Sequence, residues 1–83
     1  MELKDTIELM QSGDFKDRFK AEYYQLKIRA DKLRATLDKM NDGTLEFKPS
    51  CGYDLLHEQY TYMANYLQVL RHRAKIEEIN LGE

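Results

Sequence analysis

Apolar side chains recur along this chain at alternating intervals of four and three residues, in two separate blocks. Phe19, Tyr23, Leu26, Ala30, Leu33, Leu37 and Met40 form the first stripe. Leu56, Tyr60, Met63, Leu67, Leu70 and Ala74 form the second. That interval is the period of one helix packing along another. From Phe15 to Asn41 the chain has no Gly or Pro and is rich in good helix formers. The pattern predicts a helix over 14–41, a loop over 42–53 and a second helix over 54–80. The second helix would hold about 27 residues and run roughly 40 Å at the α-helical rise.

Local signals set the boundaries. Leu3, Ile7 and Met10 are spaced for a short amphipathic helix within residues 1–13, and Ser12-Gly13 should end it. Asp14 is a good N-cap for the first long helix, with Asp17 in the capping-box position. Asn41-Asp42-Gly43 is a helix stop and turn. The loop carries Pro49, Ser50 and Gly52, and its Leu45 and Phe47 are expected to fold back over the end of the seam. Ser50 or Asp54 is expected to cap the second helix, and Gly82 is read as the end of ordered chain. The fold class is therefore all-α: one domain, 1–83, built as a long antiparallel helical hairpin with a short N-terminal helix.

Length changes that picture. A chain of 83 residues with one inter-helix seam buries little surface and is marginal alone. One cysteine, Cys51, excludes an internal disulfide, and Cys51, His57 and His72 are too scattered to hold a metal. Self-association is the remaining remedy. The second helix supports it with an additional stripe, Tyr62, Tyr66, Val69, Arg73 and Ile76, beside the first. A homo-oligomer is expected.

Charge excludes some functions and directs attention to one end of the hairpin. The net charge of −2 gives no global attraction to nucleic acid or anionic membrane. Sequence-specific DNA binding is not expected, since the loop and helices are too long for a helix-turn-helix reader. No apolar run approaches the roughly 18 residues of a membrane span. The N-terminus, Met-Glu-Leu-Lys-Asp, lacks the basic start and apolar core of a signal peptide. With the single cysteine, this points to the cytoplasm.

Catalytic motifs are lacking as well. His57-Glu58 has no second histidine at helical spacing, because position 61 is Thr. Cys51 has no histidine fixed beside it, and there is no phosphate-binding glycine loop. Neither an enzyme nor a cofactor is expected. Within 15–37, however, seven basic residues from Lys16 to Arg34 face only Asp17, Glu22 and Asp31. Antiparallel pairing about a loop centre near Phe47 places Tyr23 level with Arg71, and Phe19 level with Lys75. The open end of the hairpin then gathers Arg18, Lys20, Arg71, His72, Arg73 and Lys75, with Tyr23, Tyr24 and Tyr66 nearby. Arginine forks onto phosphate and a tyrosine ring stacks on a base, so a phosphorylated, base-bearing ligand suits this mixture. The candidate ligand-binding residues are Arg18, Tyr23, Tyr66, Arg71 and Arg73.

A family resemblance rests on particular residues of both helices. The first reads Phe15, Arg18, Glu22-Tyr23, Leu26, Arg29, Lys32-Leu33 and Leu37. The second reads Leu55-Leu56, Gln59, Met63, Tyr66-Leu67, Leu70 and Arg73. Over residues 15–76 this resembles a family of small phage and prophage proteins named after a protein of a crAss-like phage. In size, architecture and basic-aromatic mixture the chain is also similar to the helical-hairpin sponges that phages deploy against the CBASS and Thoeris defences. The resemblance implies a phage protein in the cytoplasm of an infected bacterium. It also implies a non-enzymatic oligomer that sequesters a cyclic nucleotide or an ADP-ribose-derived signal. The rival expectation is a helical module that binds a host or phage protein through its surplus apolar face.

Overall fold

The computed structural model describes residues 1–83. A 3₁₀ turn, Leu3–Thr6, leads into α1, Ile7–Gln11; α2 spans Phe15–Asp42 and α3 spans Tyr53–Ile76. There is no strand. The long helices pack antiparallel in a body 43 Å long, and no helix is long and apolar enough to cross a membrane.

Both heptad stripes lie in the seam, and each of their residues is buried or half-buried. Burial is graded along the hairpin. Phe19, Tyr23 and Ala30 of α2 and Leu67, Leu70 and Ala74 of α3 form one buried cluster toward the open end. Toward the loop, Leu37 is buried but Leu33, Leu56 and Tyr60 are only half-buried. The register follows the expected pairing: Arg71 meets Tyr23, Arg34 meets Tyr60 and Asn41 meets Tyr53.

Several local expectations need correction. Asp14 does cap α2, accepting from the Lys16 amide at 2.9 Å. Asp17 does not return a bond to it, and instead accepts from the Ser12 hydroxyl at 2.8 Å. Ser12 Oγ also accepts from the Asp14 amide, so Ser12 links the short helix to α2. The N-terminal segment does not bury the expected stripe. Ile7 and Met10 are exposed, whereas Thr6 is buried and accepts from Gln25 Nε2 at 2.9 Å. A hydroxyl with a partner on α2 anchors this segment better than two side chains on a five-residue helix.

Phe47 is 63% exposed and does not cover the seam, whereas Leu45 is half-buried. Gly43 ends α2 in the left-handed region, at φ 72°, which lets the Thr44 amide reach the Lys39 carbonyl at 2.9 Å. Gly52, not Ser50 or Asp54, stands at the N-cap of α3, and no side chain caps it.

The largest departure lies at the C-terminal side of α3. The helix stops at Ile76, not at residue 80. Glu78 adopts φ 56°, and the Ile79 amide turns back to the Ala74 carbonyl at 2.8 Å. This is the Schellman closure, in which the residue after the left-handed position contacts the last turn of the helix. Ile79 accordingly enters the buried cluster. Leu81 packs against the same cluster, and Gly82 turns at φ 77° with its amide on Asn80 Oδ1. Gly82 is therefore a turn within ordered chain, not the end of order. Burial of Ile79 outweighs the helix propensity of Glu77 and Glu78.

Candidate functional site

The open end of the hairpin carries two different faces. On one, Tyr23 is wholly buried in the seam, with the Arg71 guanidinium 5.7 Å from its ring centroid and Tyr24 edge-on at 5.7 Å. Its ring is enclosed, and its hydroxyl is engaged by Arg71 and Glu83. Arg71 Nε donates to the Tyr23 hydroxyl and to Glu83 Oε2, each at 3.2 Å. The Tyr23 hydroxyl in turn donates to the other Glu83 oxygen. A carboxylate is thus held by a guanidinium and a phenol that also bond to each other.

This arrangement has clear electrostatic consequences. Burial, with the Glu83 hydrogen bond second, pushes the Tyr23 phenol up to about 12, although Arg71 opposes both. The Tyr23 hydrogen bond, reinforced by Arg71, holds Glu83 below the ordinary carboxylate range. Tyr24 and Lys27 flank the same segment of chain, and Lys75 lies beside Arg71.

On the other face, Arg73 lies 5.0 Å above the Phe19 ring centroid and pairs with Glu77 at 3.3 Å. Tyr66 donates its hydroxyl to Glu22. Arg18 is elsewhere again, donating to the Ser12 carbonyl at 2.8 Å. The five sequence-predicted residues are therefore not one constellation. Tyr23 and Arg71 meet, Arg73 and Tyr66 share the opposite side, and Arg18 joins the N-terminal connection. Heptad reading places residues along a seam, but Arg71 and Arg73, two positions apart on a helix, lean to opposite sides of it.

Sequence reasoning missed Glu83 and Lys27 as neighbours of the Tyr23–Arg71 pair. Only the return of residues 77–83 brings them together, and the one signal for it was Ile79 and Leu81 continuing as apolar residues beyond the helix. Cys51 and His72 lie exposed, and His57 stacks on the Tyr53 ring.

The second stripe of α3 remains uncovered. Tyr62 is 65% exposed, Val69 57% and Ile76 72%, with Leu55 and Tyr66 also exposed. A shallow hollow of about 450 Å³ lies along it between Leu55 and Tyr66, floored in part by Tyr62 and Met63.

No curated protein and no solved structure matches the chain. A family model described as Sequestin matches residues 13–76, the stretch that holds the two long helices and most of their apolar stripes. With both long helices of the hairpin almost wholly within that match, the chain belongs to the Sequestin family.

Proposed function

We propose that this protein is a phage anti-defence sponge that binds and sequesters a cyclic nucleotide or related nucleotide immune signal without catalysis. The observation that carries the reading is the Arg71–Tyr23 pair, whose members bond to each other and hold a carboxylate through two hydrogen bonds. A phosphate oxygen is a close chemical substitute for that carboxylate. The family's name, which speaks of sequestering, points the same way. Capture needs tight binding and no turnover. Each charge-assisted bond from arginine to phosphate contributes about 1.5–3 kcal/mol. A tyrosine free to stack adds about 1–3 kcal/mol per base. Tyr66, exposed beside Arg73, is the ring best placed for stacking. The exposed stripe of α3 supports self-association, which would bring basic side chains of one copy to tyrosines of another.

The same stripe favours a second reading, a helical module that binds a host or phage protein. A thermal-shift screen against cyclic di- and trinucleotides and cyclic ADP-ribose isomers separates the two. The sponge reading expects at least one of these to raise the melting temperature at micromolar concentration, and Arg71→Ala to abolish the effect. No shift at millimolar concentration would leave the interaction module as the better reading.

A further inference from the structure

Residues 77–83 lie along one side of the hairpin, and the strength of their attachment changes along the way. Ile79 is seated in the core. Beyond it the segment is held mainly by polar contacts. The Tyr24 hydroxyl donates to the Leu81 carbonyl at 2.9 Å, and Glu83 sits on Tyr23 and Arg71. Leu81, half-buried, is the apolar exception. Hollows open on both flanks of this segment. One, of about 270 Å³, reaches Arg71 and Lys75; the other, of about 310 Å³, reaches Tyr24 and Lys27. Glu83 therefore stands where Arg71, Lys75 and Lys27 and two phenol hydroxyls border one strip of surface, with Asp31, paired to Lys27 at 3.4 Å, also lining the second hollow.

We propose that Glu83 is a resident stand-in for the anionic group of a ligand, and that residues 80–83 form a strap displaced by a phosphorylated ligand from a basic, tyrosine-lined trough between α2 and α3. The assignment of this trough to a nucleotide rests on the capture reading above; the anion subsite itself does not. Every donor that holds the strap beyond Ile79 is a donor that phosphate accepts. The Arg71–Glu83 pair is weak by construction. Its side chains are 37% and 39% exposed, and water screens such a pair. A pyrophosphate group carries more charge and more acceptor oxygens than one carboxylate, and so competes effectively for Arg71. Lifting the strap at the Asn80–Gly82 turn would join the two flanking hollows and leave Ile79 in place. The strap would also set a threshold, because a site that is covered most of the time binds its ligand proportionally more weakly.

The test compares the full chain with its Glu83→Gln variant, which keeps size and loses charge, using inorganic pyrophosphate as the probe in isothermal titration calorimetry. Far-UV circular dichroism confirms that both are equally helical. The variant should bind about three- to tenfold more tightly, as expected for a site uncovered from a docked fraction of roughly 70–90%. In amide NMR, pyrophosphate should move the Leu81 and Gly82 resonances of the unmodified chain toward random-coil positions. Equal or weaker binding by Glu83→Gln overturns the strap, as does its failure to bind pyrophosphate at millimolar concentration. So does pyrophosphate binding that leaves those resonances in place. If nucleotides bind both proteins equally, the strap falls and capture stands. If pyrophosphate prefers the variant while no nucleotide binds either protein, the strap stands and capture falls.

Discussion

Arg71 lies with its guanidinium 5.7 Å from the centroid of the Tyr23 ring and its Nε 3.2 Å from the Tyr23 hydroxyl, across the seam between the two long helices. The contact joins a buried phenol to a half-buried cation, so core packing and the candidate anion subsite share one residue. Arg71→Ala should therefore lose anion binding by roughly tenfold or more, the loss of one charge-assisted bond. It should leave helicity intact, since the Tyr23 ring keeps its apolar neighbours. Calorimetry and circular dichroism on the same sample check both halves of this expectation.

The seam itself is expected to be sensitive to truncation. Leu70 is 1% exposed and Leu67 6%. Either residue changed to Ala should cost about 2–5 kcal/mol, the usual range for a leucine removed from a packed core. In a protein this small that is a large part of the total stability. Urea unfolding followed by circular dichroism should show the midpoint falling steeply or the transition disappearing.

At the end of α3, Glu78 holds a left-handed backbone conformation without being glycine. Glu78→Gly should relieve about 1 kcal/mol of that cost, partly offset by the greater freedom of glycine in the unfolded chain. The net expectation is a small rise in melting temperature by scanning calorimetry, with the Ile79 amide still protected from exchange by its bond to Ala74.

Two groups give the strap a defined pH window. The Tyr23 phenol is raised, so its contribution is complete below the ordinary tyrosine value of about 10 and is lost as pH climbs toward about 12. Glu83 is lowered, so its contribution is present above the ordinary carboxylate value of about 4.3 and is lost as pH falls through the lowered value. The Leu81 and Gly82 amide resonances should therefore hold steady through the neutral range and move at both extremes. In a tyrosinate absorbance titration one phenol should ionise late, and Glu83→Gln should bring it partway down.

Association is expected to run through the uncovered stripe of α3. Sedimentation velocity should find a dimer or larger species, and Val69→Glu should shift it toward monomer while helicity persists. Val69 is more than half exposed, so a charge there costs the hairpin little and an interface much. Cys51→Ser, His57→Ala and His72→Ala should leave ligand binding unchanged, because none of these side chains lies at the Tyr23–Arg71 pair.

The hairpin, its register and its core were legible in the residue pattern. A period of four and three leaves only one face to bury, and a glycine stop with a proline-bearing loop allows only antiparallel return. From these alone, Leu67, Leu70 and Tyr23 belong to the seam and Arg71 stands level with Tyr23. What the pattern could not settle was the side of the seam to which each charged residue leans. Residues 71 and 73 look equivalent along a chain, yet the turn of the helix sends one to Tyr23 and the other to Phe19. Nor could it place Glu83. Local propensity continues the helix through Glu77 and Glu78, and only burial of Ile79 against a cluster assembled from both helices ends it at Ile76 and turns the chain back. That burial depends on contacts with residues some 60 positions away in the chain, such as Phe19 and Tyr23. Periodicity along the chain records local repeats, and contacts of that range exist only once the tertiary structure has formed.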